Sequence, residues 1–185
     1  MNEPEKKRII LQFLTFRKKT PVLLRSNRLI RGMFLFFMLP FILAGSPDPA
    51  NSSESESVFF DISEVTIVTA DGHHRFWTEI AQSTAQRQQG LMGRREMPAD
   101  RGMLFDFRSL QQIHMWMKNT YIPLDMIFLD ETGRITAIAA NTTPLSTTVL
   151  SSPGPARAVL ELNGGTAVLL GIKVGDKVLH RIFQP

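Results

Sequence analysis

The 185-residue chain contains no cysteine. That absence excludes disulfides, thiol nucleophiles, redox pairs, thiolate-bound zinc and lipid attachment through a lipobox cysteine. Enzyme signatures are missing too: there is no Gly-x-Ser-x-Gly elbow, phosphate loop, His-Glu-x-x-His pair or dinucleotide fingerprint. No internal repeat is present. The apolar run Gly32 to Ala44 is only 13 residues long and contains Pro40, whereas a helix crossing a bilayer needs about 20.

Excess basic charge is absent from most of the chain. Residues 1–46 carry nine Lys or Arg against Glu3 and Glu5, a net of +7. The other 139 residues carry 12 basic and 15 acidic side chains, a net of −3. The formal +4 therefore describes the N-terminal segment, and the pI gives no ground for a nucleic-acid partner.

That N-terminal segment has the order of an export signal. Basic residues end at Arg31, the apolar run follows, and Gly45-Ser46-Pro47 comes next. Cleavage near Ala44 to Ser46 would place the mature protein in a bacterial periplasm. The alternative is an uncleaved anchor in the inner membrane, with membrane contact confined to residues 32–44. An amphipathic surface helix fits poorly, because the stretch from Met33 to Leu43 is apolar on every face. Residues 47–57 are small, polar and proline-containing, and read as a flexible linker. One globular domain is expected from 58 to 185, large enough to bury a core without disulfides.

Strand patterns dominate that domain. Glu64 to Thr69 alternates, Asp71-Gly72 marks a hairpin turn, and His74 to Ile80 returns. Ser83 or Thr84 can cap a short helix running to Gln88 and closed by Gly90. Further strands are expected over Gly102 to Phe107, Ile113 to Lys118, Met126 to Asp130, Arg134 to Ile138, Ala156 to Leu162 and Lys177 to Phe183. Glu131-Thr132-Gly133 makes a second hairpin turn, and Gly165 to Leu170 a helical turn. Thr143 to Pro155 reads as a long surface loop. The expected fold is α+β and mainly β: a compact barrel-like sheet, antiparallel or mixed, with one or two short helices.

The block from Gly90 to Asp125 carries the most distinctive motifs. They are Gly90-Leu91-Met92 with Arg94, Gly102-Met103-Leu104-Phe105, Trp116-Met117-Lys118-Asn119-Thr120 and Pro123-Leu124-Asp125. Leu160-Glu161-Leu162 with Gly165, then Gly171-Ile172 with Gly175-Asp176, follow. Over residues 65–183 this ordered set resembles the prokaryotic family called domain of unknown function 192. The resemblance implies a small, mainly β domain, often exported. It implies no agreed substrate, cofactor or catalytic residue.

The residues themselves offer one candidate pocket. Asp125 lies between apolar Leu124 and Met126, where a charge needs a partner. Arg94 could supply it, with Asn119 and Thr120 as hydrogen-bonding groups and Trp116 as a wall, around a small polar or anionic ligand. The competing reading makes Asn119, Thr120 and Asp125 a structural knot that satisfies loop backbone. The methionines around His114-Met115-Trp116-Met117 raise a copper site. A strand, however, turns His114 and the two methionines to opposite faces, so core packing of Met115 and Met117 against Met103, Phe105 and Phe107 is favoured. His73 and His74 read as exposed turn residues, and His180 has no nearby carboxylate in sequence.

No metal or cofactor is expected. The favoured function is an exported, non-enzymatic accessory module that binds a small polar ligand or a protein partner. A hydrolase or lyase using Asp125 with Arg94, and a periplasmic copper carrier, are the alternatives.

Overall fold

Apolar–polar alternation marks the first two strands of the computed structural model, which describes residues 58–184, while the central strands are buried on both faces. The expected export segment (1–46) and linker (47–57) lie outside the described residues. Among the described residues no helix is long and apolar enough to cross a membrane.

Strands β1 (Asp61–Thr69) and β2 (Gly72–Ala81) form the first hairpin. Its turn is Ala70-Asp71, one residue earlier than the sequence suggested, because Gly72 already pairs with Thr69. Helix α1 (Thr84–Gln89) is held by a capping box: Ser83 Oγ accepts from Gln86 N, and the Gln86 side chain accepts from the Ser83 backbone. Strand β3 (Arg101–Gln111) then runs parallel to β2. Strands β4 (His114–Met115), β5 (Leu124–Leu129), β6 (Ile135–Ala139), β7 (Leu150–Ser151) and β8 (Ala156–Asn163) follow. Helix α2 (Thr166–Leu169), β9 (Lys177–Leu179) and a 3₁₀ turn at Arg181–Phe183 end the described chain.

Two expected strands are cut short. Ile113 to Lys118 keeps only His114–Met115, paired with β7, because a tight turn from Met117 to Thr120 takes the rest. Lys177 to Phe183 stops at Leu179, where Nδ1 of His180 accepts from Ile182 N and starts the 3₁₀ turn.

Seven strands form one sheet in the order β6-β5-β8-β3-β2-β1-β9, antiparallel except for β2–β3. The sheet curls until its edges meet at one end only: Arg134 bridges Lys177, and Val178 N donates to Gly133 O at 2.8 Å. The fold is thus mainly β with two short helices, a curled half-barrel.

Each face of the sheet carries a core. Val65, Ile67, Phe76, Leu104, Ile127, Leu160 and Val178 fill the concave face. On the other face Met103, Phe105, Met126, Phe128 and Val159 are covered by Leu91, Ile113, Met117 and Ile122. Those covering residues come from the β2–β3 crossover and from the segment between β3 and β5. The candidate site lies where these two covers meet the sheet.

Candidate functional site

A cavity of about 200 Å³ opens between the covers and the sheet. Helix α1 and the turn after it bring Arg87, Gly90 and Met92; β3 brings Phe105 and Phe107. The stretch from β4 onward brings His114, Met115, Trp116, Lys118 and Thr120, and β8 brings Glu161. Two glycines in the motifs earn their places here. Gly90 has φ +46°, and a Cβ on it would stand 3.2 Å from the Phe105 ring. Gly102 packs so closely on β8 that a Cβ would fall 2.6 Å from the Glu161 carbonyl oxygen.

Glu161 is the chemical centre of the cavity. It lies across from Met103 on β3 and from Met126 on β5, so both flanking strands offer it apolar neighbours. The residue is 3% exposed. Burial alone pushes its carboxyl up to about 8, so it carries its proton at neutral pH. No hydrogen bond from the protein lowers that value. Among the described residues every fully enclosed side-chain nitrogen or oxygen has a partner. The unpaired Glu161 oxygens therefore border the cavity itself, where they could meet a ligand.

The residues expected to converge do so only in part. Trp116 and Thr120 line this cavity. Thr120 is buried, and its backbone N–H donates to Met117 O at 3.1 Å. Trp116 is a wall and not core: it is 51% exposed, with Lys118 Nζ 5.7 Å above its ring.

Arg94 and Asp125 do not pair. Arg94 instead forms a two-pronged ion pair with Glu79, at 2.7 and 2.5 Å. Asp125 shares the concave face with Ile127 and Leu129, while the cavity lies over the other face, so strand alternation keeps it away. It is fully buried and accepts from Asn141 N at 2.7 Å, Gly165 N at 3.0 Å and Ala167 N at 2.7 Å. These bonds anchor the start of α2 and the end of β6. Asn119 is exposed with φ +57°, a left-handed turn position that asparagine tolerates, and its carbonyl accepts from Gly93 N at 2.8 Å.

Glu161 escaped the sequence-based site, although the signal was there: one carboxylate between Leu160 and Leu162 in an apolar strand. The reasoning applied to Asp125, that such a charge needs a partner, applies equally to Glu161. Asp125 has its partners within the protein, whereas among the described residues Glu161 has none.

Metal chemistry has a narrow basis. Among the described residues no group of three His, Cys, Asp or Glu could hold an ion. His114 Nδ1 lies 2.8 Å from Ser151 Oγ. Met117 is buried core and Met115 is partly buried against the same cluster, as expected of both, while Met92, His114 and Met115 also border the cavity.

Comparisons with known proteins agree with the fold and give no activity. Residues 66–180 match the family described as uncharacterised ACR, domain of unknown function 192. The chain is similar to a crystal structure of a candidate transcription regulator from Sinorhizobium meliloti 1021. Identity is 44%, covering 66% of this chain and 96% of that one, with a TM-score of 0.65. It is also similar to a protein of unknown function from Novosphingobium aromaticivorans DSM 12444. There identity is again 44%, covering 64% of this chain and 85% of that one, with a TM-score of 0.63. No curated protein matches.

Proposed function

The chain belongs to the domain of unknown function 192 family, and for this member we propose an exported accessory module that binds a small molecule in the cavity over Glu161. The observation that carries the reading is the unpaired, buried carboxyl at the floor of that cavity. Stability does not call for a glutamate there: an apolar residue between Met103 and Met126 would avoid its burial cost. A group buried at such a cost, facing a cavity with aromatic and cationic walls, fits ligand recognition.

Export rests on the basic segment ending at Arg31, the apolar run and the polar linker. Binding without chemistry is favoured because the expected acid–base pair does not assemble. Asp125 is saturated by three backbone N–H groups, and Arg94 is committed to Glu79. Nucleic acid is not the partner we propose, although one relative is described as a candidate transcription regulator. Residues 58–184 hold twelve basic and twelve acidic side chains, giving no electrostatic footprint for phosphates. The longer of their two α-helices has six residues, too short for a recognition helix in a major groove.

Native mass spectrometry of the full chain, expressed in a bacterium and purified gently from the periplasm, tests this reading. The expected result is a processed N-terminus between Ala44 and Pro47 and an extra small mass that Glu161→Leu loses. Recovery of the intact chain in the cytoplasm would overturn export. An extra mass retained unchanged by Glu161→Leu would overturn the site.

A copper carrier is the second reading, favoured by the presence of Met92, His114 and Met115 in the cavity lining. It requires stoichiometric Cu(I) on the purified chain and its loss in His114→Ala.

A further inference from the structure

We infer that the ligand of this cavity is a small aromatic acid, its carboxylate held at the Lys118–Arg87 rim and its far polar end on Glu161. The inference rests on the cavity being a ligand site and adds the chemistry of what enters it.

Charge comes first. Among the described residues the ion pairs are Arg94–Glu79 and Arg157–Asp106, so neither Lys118 nor Arg87 is neutralised by a carboxylate. Both border the cavity, and Glu161 is the one acidic group that does. Because burial keeps Glu161 protonated at neutral pH, the empty cavity carries positive charge and no negative charge. Such a site attracts an anion and repels an ammonium group.

Position comes next. Lys118 Nζ lies over the exposed Trp116 ring, at the open side of the cavity, where an anionic group keeps part of its hydration. Arg87 Nη1 donates to the carbonyls of Gln82 at 2.5 Å and Asp106 at 3.2 Å, which fixes the guanidinium beside Phe107. A fixed guanidinium loses little entropy when it meets a carboxylate.

The middle and the floor complete the description. Phe105 lines the buried part of the cavity and Trp116 its open side, two aromatic faces suited to a flat ring. At the floor a protonated carboxyl offers one O–H donor and an acceptor, matching a hydroxyl or carbonyl at the far end of the ligand. The ligand class is therefore an aromatic ring with a carboxylate at one end and a hydrogen-bonding group at the other.

Three probes that share a 4-hydroxyphenyl ring and carry anionic, neutral and cationic head groups test the inference: 4-hydroxybenzoate, 4-hydroxybenzyl alcohol and 4-hydroxybenzylamine. The readout is the indole N–H resonance of Trp116 in the full chain, assigned by comparison with Trp77→Phe. The acid is expected to shift that resonance saturably and to bind at least about tenfold tighter than the amine. Lys118→Met should weaken the acid by about tenfold and leave the alcohol unchanged, and Lys118→Arg should restore the acid. An amine that binds as well as the acid, or an alcohol that loses as much as the acid in Lys118→Met, overturns the ligand class and leaves the site standing. No shift with any probe at millimolar concentration also overturns the ligand class, while the site itself is decided by whether Glu161→Leu loses the extra mass.

Discussion

Two carboxylates stand in apolar strands, Asp125 in β5 and Glu161 in β8, and their surroundings assign them opposite tasks. Asp125 gathers three backbone N–H groups, so Asp125→Ala should destabilise the fold by about 3 kcal/mol or more, measured by denaturant unfolding. Among the described residues Glu161 has no such partners, and its burial costs stability. In the folded chain it holds its proton up to a pH of about 8, whereas unfolded it releases it near 4.5. Across that window the folded state binds more protons, so stability falls as pH rises. Glu161→Gln removes this slope, and thermal melts of the variant should gain on the parent as pH climbs from about 5 to about 8. His180 acts in the other direction. Burial and the neighbouring Arg181 hold it below its ordinary 6.5, with Ser63 Oγ 3.0 Å from Nε2. The folded state then binds fewer protons than the unfolded one, and stability falls as pH drops below 6.5.

At the scale of elements, the cavity depends on short pieces held by specific local contacts. Helix α1 has six residues and relies on the Ser83–Gln86 capping box. Ser83→Ala should cost about 1 kcal/mol and, by loosening Arg87, also weaken ligand binding. Gly102→Ala would force a methyl against the Glu161 carbonyl and the Leu162 side chain, with an expected loss of about 1–3 kcal/mol in thermal or denaturant unfolding. These local devices were readable in advance. The Ser83 cap, the Gly90 stop, the two hairpins and the helical turn before Gly171 all follow from turn and cap chemistry, which acts within a few residues. Where longer contacts decided, the reading failed. Residues 116–118 left the strand because the chain turns back at Asn119 to meet Gly93 and Thr120 pairs with Leu145, contacts that no window of sequence contains.

At the scale of the whole molecule, a mainly β barrel-like sheet was legible because eight short strand-like stretches punctuated by turns leave few other architectures. The partition of the site was not legible. Asp125 and Thr120 are five residues apart in sequence, yet the sheet separates Asp125 from the cavity that Thr120 lines. Which face a strand residue takes depends on pairings such as Met103 with Glu161 and Met126 with Glu161, set by strands far apart in the chain. The same pairings bring Glu161 beneath a cover made from two separate crossovers, which explains why the group at the centre of the site was read only as part of a motif.

The claim that joins these scales is that Glu161 is a neutral, unpaired acid facing a ligand cavity. Carboxyl carbon NMR of the full chain, labelled at glutamate and assigned through Glu161→Gln, measures it directly. The account requires a resonance that stays protonated through neutral pH and titrates near 8. A Glu161 carboxyl already ionised a little above 4.5 would contradict it, because that behaviour belongs to a glutamate with a partner or with free access to water.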